Sequence, residues 1–223
     1  MDFTKLLSLL ENRQLFFTRA DQFEDPYEGS YSRAGVELLR DPNMNDGFPI
    51  NAVDKVIAGM DKMRKKIFIS CWYVSEHESA AMWKLHLQSC EGVAIRSDHN
   101  SLTEVLNKSS IMARTTLVKY IDYDRTPIPF RNGFFPFVYK RMSFSHENEL
   151  RIIIWSQENV NQSQIDSDAT SVNINIIPEE LIKAVNVSPM APKWFGRLVE
   201  QVLRRYGITC PIELSGLYDR PSY

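Results

Sequence analysis

The sequence predicts an α+β fold, a single domain over residues 1–223 with a mixed or antiparallel sheet core and flanking helices. Three observations carry this. Apolar residues recur with helical period in some stretches and form strand-length runs in others. These stretches are intermixed without the regular strand–helix–strand rhythm of a doubly wound sheet. The length, with 43% hydrophobic and 24% charged residues, suits one globular domain with a sizeable core.

Taken in order, Leu6, Leu7, Leu9 and Leu10 fall on helical spacing and predict an amphipathic helix ending near Asn12. Leu15 to Thr18 reads as a short buried strand, and residues 21–29, with Pro26 and Gly29, as a polar turn. Helices follow over residues 32–40 and 52–66. Ile67 to Tyr73 is an apolar run of strand length. Residues 75–78 and 101–104 both read as capping boxes, the first opening a helix that carries Met82 and Trp83. Gly92 to Ile95 and residues 111–122 read as strands, the second a long one. Residues 126–136, with three prolines and a glycine, form a loop. Leu150 to Trp155 is the most hydrophobic strand, and residues 158–171 a polar connection. Late strands are expected at 172–177, 185–187 and 212–214, with helices at 179–183 and 194–206.

Composition removes several function classes. The formal net charge of −2 argues against a whole-surface nucleic-acid or membrane binder. No apolar run approaches the ~20 residues of a membrane span, and residues 1–10 lack the positive start and small-residue cleavage site of a signal peptide. Cys71, Cys90 and Cys210 stand at unrelated spacings, which reads as reduced cysteine in a cytoplasmic protein. Strand alternation puts Cys71 beside Ile67 and Ile69, where it is expected to be buried. There is no G-x-S-x-G elbow, no Walker lysine loop, no G-x-G-x-x-G and no zinc-protease histidine pair, and no metal site is predicted.

What remains is polar. Asp25 and Glu28 flank the Pro26 turn, where Asp25 also has a backbone-bonding job available. Ser70 lies between large aromatics on its strand, and Trp83 follows Ser79 by one helical turn. In the stretch 145–151, an already extended chain would put Glu147, Glu149 and Arg151 on one face, at the entrance of a doubly buried strand. Unpaired charge is costly there, so Glu149 and Arg151 are either a structural ion pair or part of a site.

These stretches together resemble a widespread bacterial family catalogued as a domain of unknown function. The motifs run in order over nearly the whole chain: F-x-D-P-x-E (Phe23, Asp25, Pro26, Glu28), S-C-W (Ser70, Cys71, Trp72), E-S-x-x-M-W (Glu78, Ser79, Met82, Trp83), G-V-A-I (92–95) and E-x-E-x-R (Glu147, Glu149, Arg151). Val187-Ser188-Pro189 and the tail at 215–218 belong to the same likeness. Glu24 departs from it, standing where the family usually has Asn. A second likeness is to ADP-ribosyltransferases, including toxin enzymes that modify DNA. Arg19 after an early strand, Ser70 on a later one, and Glu147-x-Glu149 introducing a third are similar to their order of elements.

That likeness implies an ADP-ribosyltransferase-like fold and a bacterial toxin or phage-defence effector with NAD as substrate. Glu149 would stabilise the oxocarbenium-like state, Glu147 would position a protein or nucleic-acid acceptor, and Ser70 would orient the ribose or nicotinamide. Arg19 or Arg151 would hold the pyrophosphate, Trp83 would wall the nicotinamide pocket, and Asp25 and Glu28 would complete the dinucleotide site. Two other readings stay open: a non-catalytic ligand-binding or regulatory module, and a nucleic-acid-acting glycosylase or nuclease using Asp25, Glu28 and Glu149.

Overall fold

The computed structural model describes residues 1–45, 47–130, 132–157, 165–166 and 168–221. The elements begin with α1 (Phe3–Asn12), β1 (Gln14–Arg19), α2 (Arg33–Arg40), α3 (Ile50–Arg64) and β2 (Ile67–Tyr73). Next come α4 (Ala80–His86), β3 (Val93–Arg96), α5 (His99–Asn107), β4 (Arg114–Leu117), β5 (Lys119–Ile121) and β6 (Tyr139–Arg141). The chain continues with β7 (Glu149–Trp155), β8 (Ser171–Asn175), α6 (Pro178–Leu181), β9 (Ala184–Val187), α7 (Lys193–Arg205) and β10 (Ile212–Leu214). This is a mixed α/β fold with antiparallel sheet and helices, in keeping with the α+β expectation. Where the sequence suggested one domain, the chain forms two compact units: Met1–Phe16, Ser75–Ser110 and Asn173–Tyr223 make the first, Phe17–Val74 and Ile111–Val172 the second. Each is assembled from stretches distant in sequence, so no linker marks their boundary.

The first unit contains a small sheet in the order β10-β9-β3, parallel between β10 and β9 and antiparallel between β9 and β3. Period-two alternation turns Val93, Val185 and Val187 to one side, and all three are buried. Leu6, Leu9 and Leu10 give α1 a buried stripe, and Phe195, Val199 and Leu203 do the same for α7. Phe3 meets Phe195 edge-on, ring centres 5.1 Å apart.

In the second unit β4, β7, β2 and β1 run in that order, each antiparallel to its neighbour. Their register lines side chains into rows. Thr116, Arg151 and Cys71 form one row, while Thr115, Ile152 and Ser70 form the next, on the opposite face. The Arg151 face carries a core of Ile67, Ile69, Ile153, Ala20 and Phe137.

Several expectations need correction. The cap of α4 is Ser79, whose Oγ accepts from the Met82 N–H at 3.3 Å; Ser75 only closes a local turn onto His77. Glu78, needed for the proposed box, instead accepts from Asn186 and Ser215. Asp98 caps α5 through the Ser101 N–H at 2.8 Å, which puts Ser101 inside the helix. The long strand at 111–122 is two short ones. Val118 donates to Glu149 O (2.9 Å) and Lys119 to Val138 O (2.8 Å), so the chain changes partner within one residue. Strand β6 and the 3-10 turn Met142–Glu147 were not foreseen. Cys71 is exposed, because the end of β2 runs past the core. Dense protein nonetheless surrounds its thiol on the other side, and that crowding raises its pKa. The expected connection at 158–171 falls largely on residues outside the described ones.

Gly29 fixes the turn that delivers Glu28. Its φ of +69° is a left-handed conformation, and an added Cβ would lie 2.4 Å from Cε1 of the buried Phe137. Gly29→Ala is expected to lose about 2 kcal/mol of stability, from overpacking and backbone strain together. Urea unfolding measures this; a loss under ~0.5 kcal/mol would mean that the turn yields freely.

Candidate functional site

The centre of the site is Arg151, which has 0% of its surface exposed. It is in the middle of the sheet because β7 is apolar on both sides of it, and its charge is met there by carboxylates on two sides. Nε donates to Glu149 Oε2 at 2.7 Å. Nη1 and Nη2 fork onto the two oxygens of Glu28, the second at 2.9 Å, and Nη1 also reaches Phe137 O at 2.9 Å. Glu28 comes from the Pro26 turn, 123 residues away in sequence. Opposite charges packed this closely hold the guanidinium pKa well above its ordinary value despite burial.

Glu149 links this fork to a second cation. Its Oε1 accepts from Lys140 Nζ at 2.7 Å, and the same ammonium donates to Glu147 Oε2. The backbone N–H of Glu149 donates to the Tyr120 hydroxyl at 2.9 Å. Glu147 is not on the strand. It ends the 3-10 turn, and Asn148, in the left-handed conformation at φ 36°, swings the chain so that both carboxylates meet one lysine. Burial, the adjacent Glu149 and the cost of a second negative charge push the Glu147 carboxyl up to about 7. Burial would raise Glu149 as well, but the hydrogen bond from Glu147 and the charges of Arg151 and Lys140 outweigh it and hold Glu149 well below the usual carboxylate range. The two are thereby held apart, Glu149 towards its ionised form and Glu147 towards its protonated one.

Charge balance agrees. Lys140, Arg141 and Arg151 face Asp25, Glu28, Glu147 and Glu149. Three cations and four carboxylates balance when one carboxyl is protonated.

The structure brings together five of the eight residues that the sequence singled out: Asp25, Glu28, Glu147, Glu149 and Arg151. Asp25 performs its turn function, accepting from the Tyr27 N–H at 3.0 Å, and also pairs with Arg141 Nη2 at 2.7 Å. Ser70 points to the opposite face of the sheet from Glu149 and Arg151, since it is in register with Ile152. Arg19 forks onto Asp21 at 2.7 and 3.1 Å and donates to Ala169 O at 2.8 Å and Asp168 O at 3.3 Å, which commits four of its five N–H groups to the protein. Trp83 is a buried residue of α4 in the first unit.

Sequence reasoning missed Lys140 and Arg141. Arg141 lies over the Tyr27 ring at 4.2 Å and the Phe144 ring at 5.2 Å, and Lys140 over Phe144 at 4.7 Å. The one available signal was two successive cations inside the aromatic stretch 134–144. Among the described residues, Asp25 Oδ2 and Arg141 Nε, a complementary acceptor and donor, are buried without a hydrogen-bond partner.

Among the described residues no group of three or more His, Cys, Asp or Glu is placed to hold a metal ion, and no helix is long and apolar enough to cross a membrane. Compared with models of known families, with curated proteins and with solved structures, the chain has no match.

Proposed function

We propose that the second unit carries an acid–base site of ADP-ribosyltransferase or NAD glycohydrolase type, acting on the bond between nicotinamide and ribose. One observation carries the reading: both carboxylates of the E-x-E pair meet on the buried ammonium of Lys140 while Arg151 bonds Glu149 alone of the two, an arrangement that holds Glu149 ionised and favours a proton on Glu147. Two carboxyls pushed apart in this way mark the acid–base assignment of a site. In the reaction, the carbon–nitrogen bond breaks with its electron pair passing to the nicotinamide nitrogen. The oxygen of water or of a macromolecular acceptor bonds to the ribose carbon, and Glu147 takes the proton. Glu149 contributes fixed negative charge near the developing oxocarbenium. Its oxygens are committed to Arg151 and Lys140, so it does not reach the ribose by a hydrogen bond of its own. Arg141, whose side chain is partly exposed, replaces Arg19 and Arg151 as the residue that holds phosphate.

The test is nicotinamide release from NAD, with and without DNA, RNA or a cell lysate as acceptor. Glu147→Gln is expected to keep the fold and ADP-ribose binding and to slow release about 10²-fold. Absence of release by the wild-type protein under all these conditions defeats the reading. A second reading, a non-catalytic ligand-binding or regulatory module, is favoured by the closure of Glu28, Arg151 and Glu149 on one another. It expects ligand binding without turnover.

A further inference from the structure

The small sheet of the first unit treats its two edges differently. Along the outer side of β3 runs the N-terminus. The Met1 amino group donates to Val93 O at 2.8 Å, Val93 N–H donates to Met1 O at 2.9 Å, and Asp2 bridges Gly92. At the other edge β10 pairs with β9 alone among the described residues. Pro211 O accepts from Val185 N–H at 3.0 Å and Ser215 N–H donates to Val187 O at 3.1 Å. Residues 211, 213 and 215 thus face β9, and by alternation the backbone groups of Ile212 and Leu214 face outward. Leu214 is 67% exposed. An open strand edge is a template for another chain.

Next to this edge is a groove of about 660 Å³ between α7 and the segment 208–214. Leu203, Ile208 and Ile212 form an apolar floor. The α7 rim carries Lys193, Arg197 and Arg204. Glu200, the one carboxylate lining it, is already paired with Arg204 at 2.6 Å. Lys193 and Arg197 are exposed and make no ion pair among the described residues. A chain whose net charge is −2 therefore presents uncompensated positive charge here.

We propose that this face docks an extended acidic segment of a partner protein, which adds as a strand to β10 and sets carboxylates on Lys193 and Arg197. Since α7 connects the parallel strands β9 and β10, its axis runs along them. Four residues of helix advance ~6 Å, and two residues of strand ~7 Å. Carboxylates two apart on a docked strand thus match the spacing of Lys193 and Arg197, and an apolar side chain on the same face enters the groove. Main-chain bonds supply affinity and the rim charges supply selectivity.

The probe is a fluorescein-labelled octapeptide whose one face reads Leu, Glu, Glu, Leu, with Thr at the intervening positions. Fluorescence polarisation should show saturable binding to the full chain, weakened at least 10-fold by Lys193→Glu with Arg197→Glu. Leu214→Pro removes an outward N–H and leaves the β9 ladder intact, and should also weaken binding at least 10-fold with an unchanged melting temperature. The charge-reversal variant alters only exposed side chains, so it decides the matter should Leu214→Pro fail to fold. No binding by the wild type, equal binding of a peptide with Lys in place of Glu, binding indifferent to both variants, or binding of an eight-residue oligothymidine instead would each overturn the proposal.

Discussion

Arg151→Ala is expected to remove about 3–5 kcal/mol of stability, most of what a marginal domain has to lose. The reason is what remains behind. Glu28 and Glu149, both buried, would face each other without the guanidinium that now accounts for one fork and one further bond, and Phe137 O would lose its donor. Glu28 would be left as an uncompensated buried charge and Glu149 with Lys140 alone, and that costs more than the pair itself contributes. Neutralising the partners should recover part of the loss, so Arg151→Met combined with Glu28→Gln is expected to be milder than Arg151→Ala alone. The exposed pair Arg33–Glu37 provides the contrast: Arg33→Ala should leave stability nearly unchanged, because water screens both charges. Urea unfolding of these variants at pH 7 measures the difference. An Arg151→Ala protein as stable as the Arg33→Ala protein would mean that water reaches the cluster and that Glu28 and Glu149 are solvated without the arginine.

How much of this was visible in the sequence follows from the range of the interactions. β2 and α1 were legible because their periodicity is local: Ile67 to Tyr73 is an unbroken apolar run, and the leucines of α1 repeat at helical spacing. Both capping boxes were misassigned because a cap is chosen by competition. Asp98 took the place expected of Ser101, and Asn186 and Ser215 recruited Glu78 from more than a hundred residues away. The E-x-E-x-R charges announced themselves, since Glu149 and Arg151 interrupt a strand that is otherwise apolar. Their partner Glu28 was named for a different reason, its place in a turn. Lys140 had only its place beside Arg141 in an aromatic stretch to announce it, because what makes it central is a meeting of two carboxylates through a 3-10 turn and a left-handed asparagine. Ser70 was misplaced by a quantity that no single strand contains, the register between β2 and β7.

The lysine-bridged pair also sets how stability should change with pH. In the unfolded chain Glu147 titrates near 4.5, and in the folded protein near 7. Between these values the native state holds a proton that the unfolded state has released. This contribution is therefore fully present below pH ~4.5 and is lost as pH rises through 7, with a slope approaching 1.4 kcal/mol per pH unit. Glu149 is shifted the opposite way. Its contribution is complete above pH ~4.5 and fails only in more acid solution, so the two windows do not overlap. In full the Glu147 shift is worth ~3 kcal/mol, and access of water to this carboxyl lowers the expected loss between pH 5 and pH 8 to about 2 kcal/mol. Glu147→Gln cannot titrate and should remove that loss, leaving its own profile flatter by the same amount over the same interval. Subtracting the two curves from urea unfolding at half-unit steps of pH isolates this one carboxyl from every other titrating group. A difference curve that is level from pH 5 to 8 would show that Glu147 is ionised throughout. It would then have no proton to exchange near neutrality, and the acid–base role assigned to it would fall with the stability prediction.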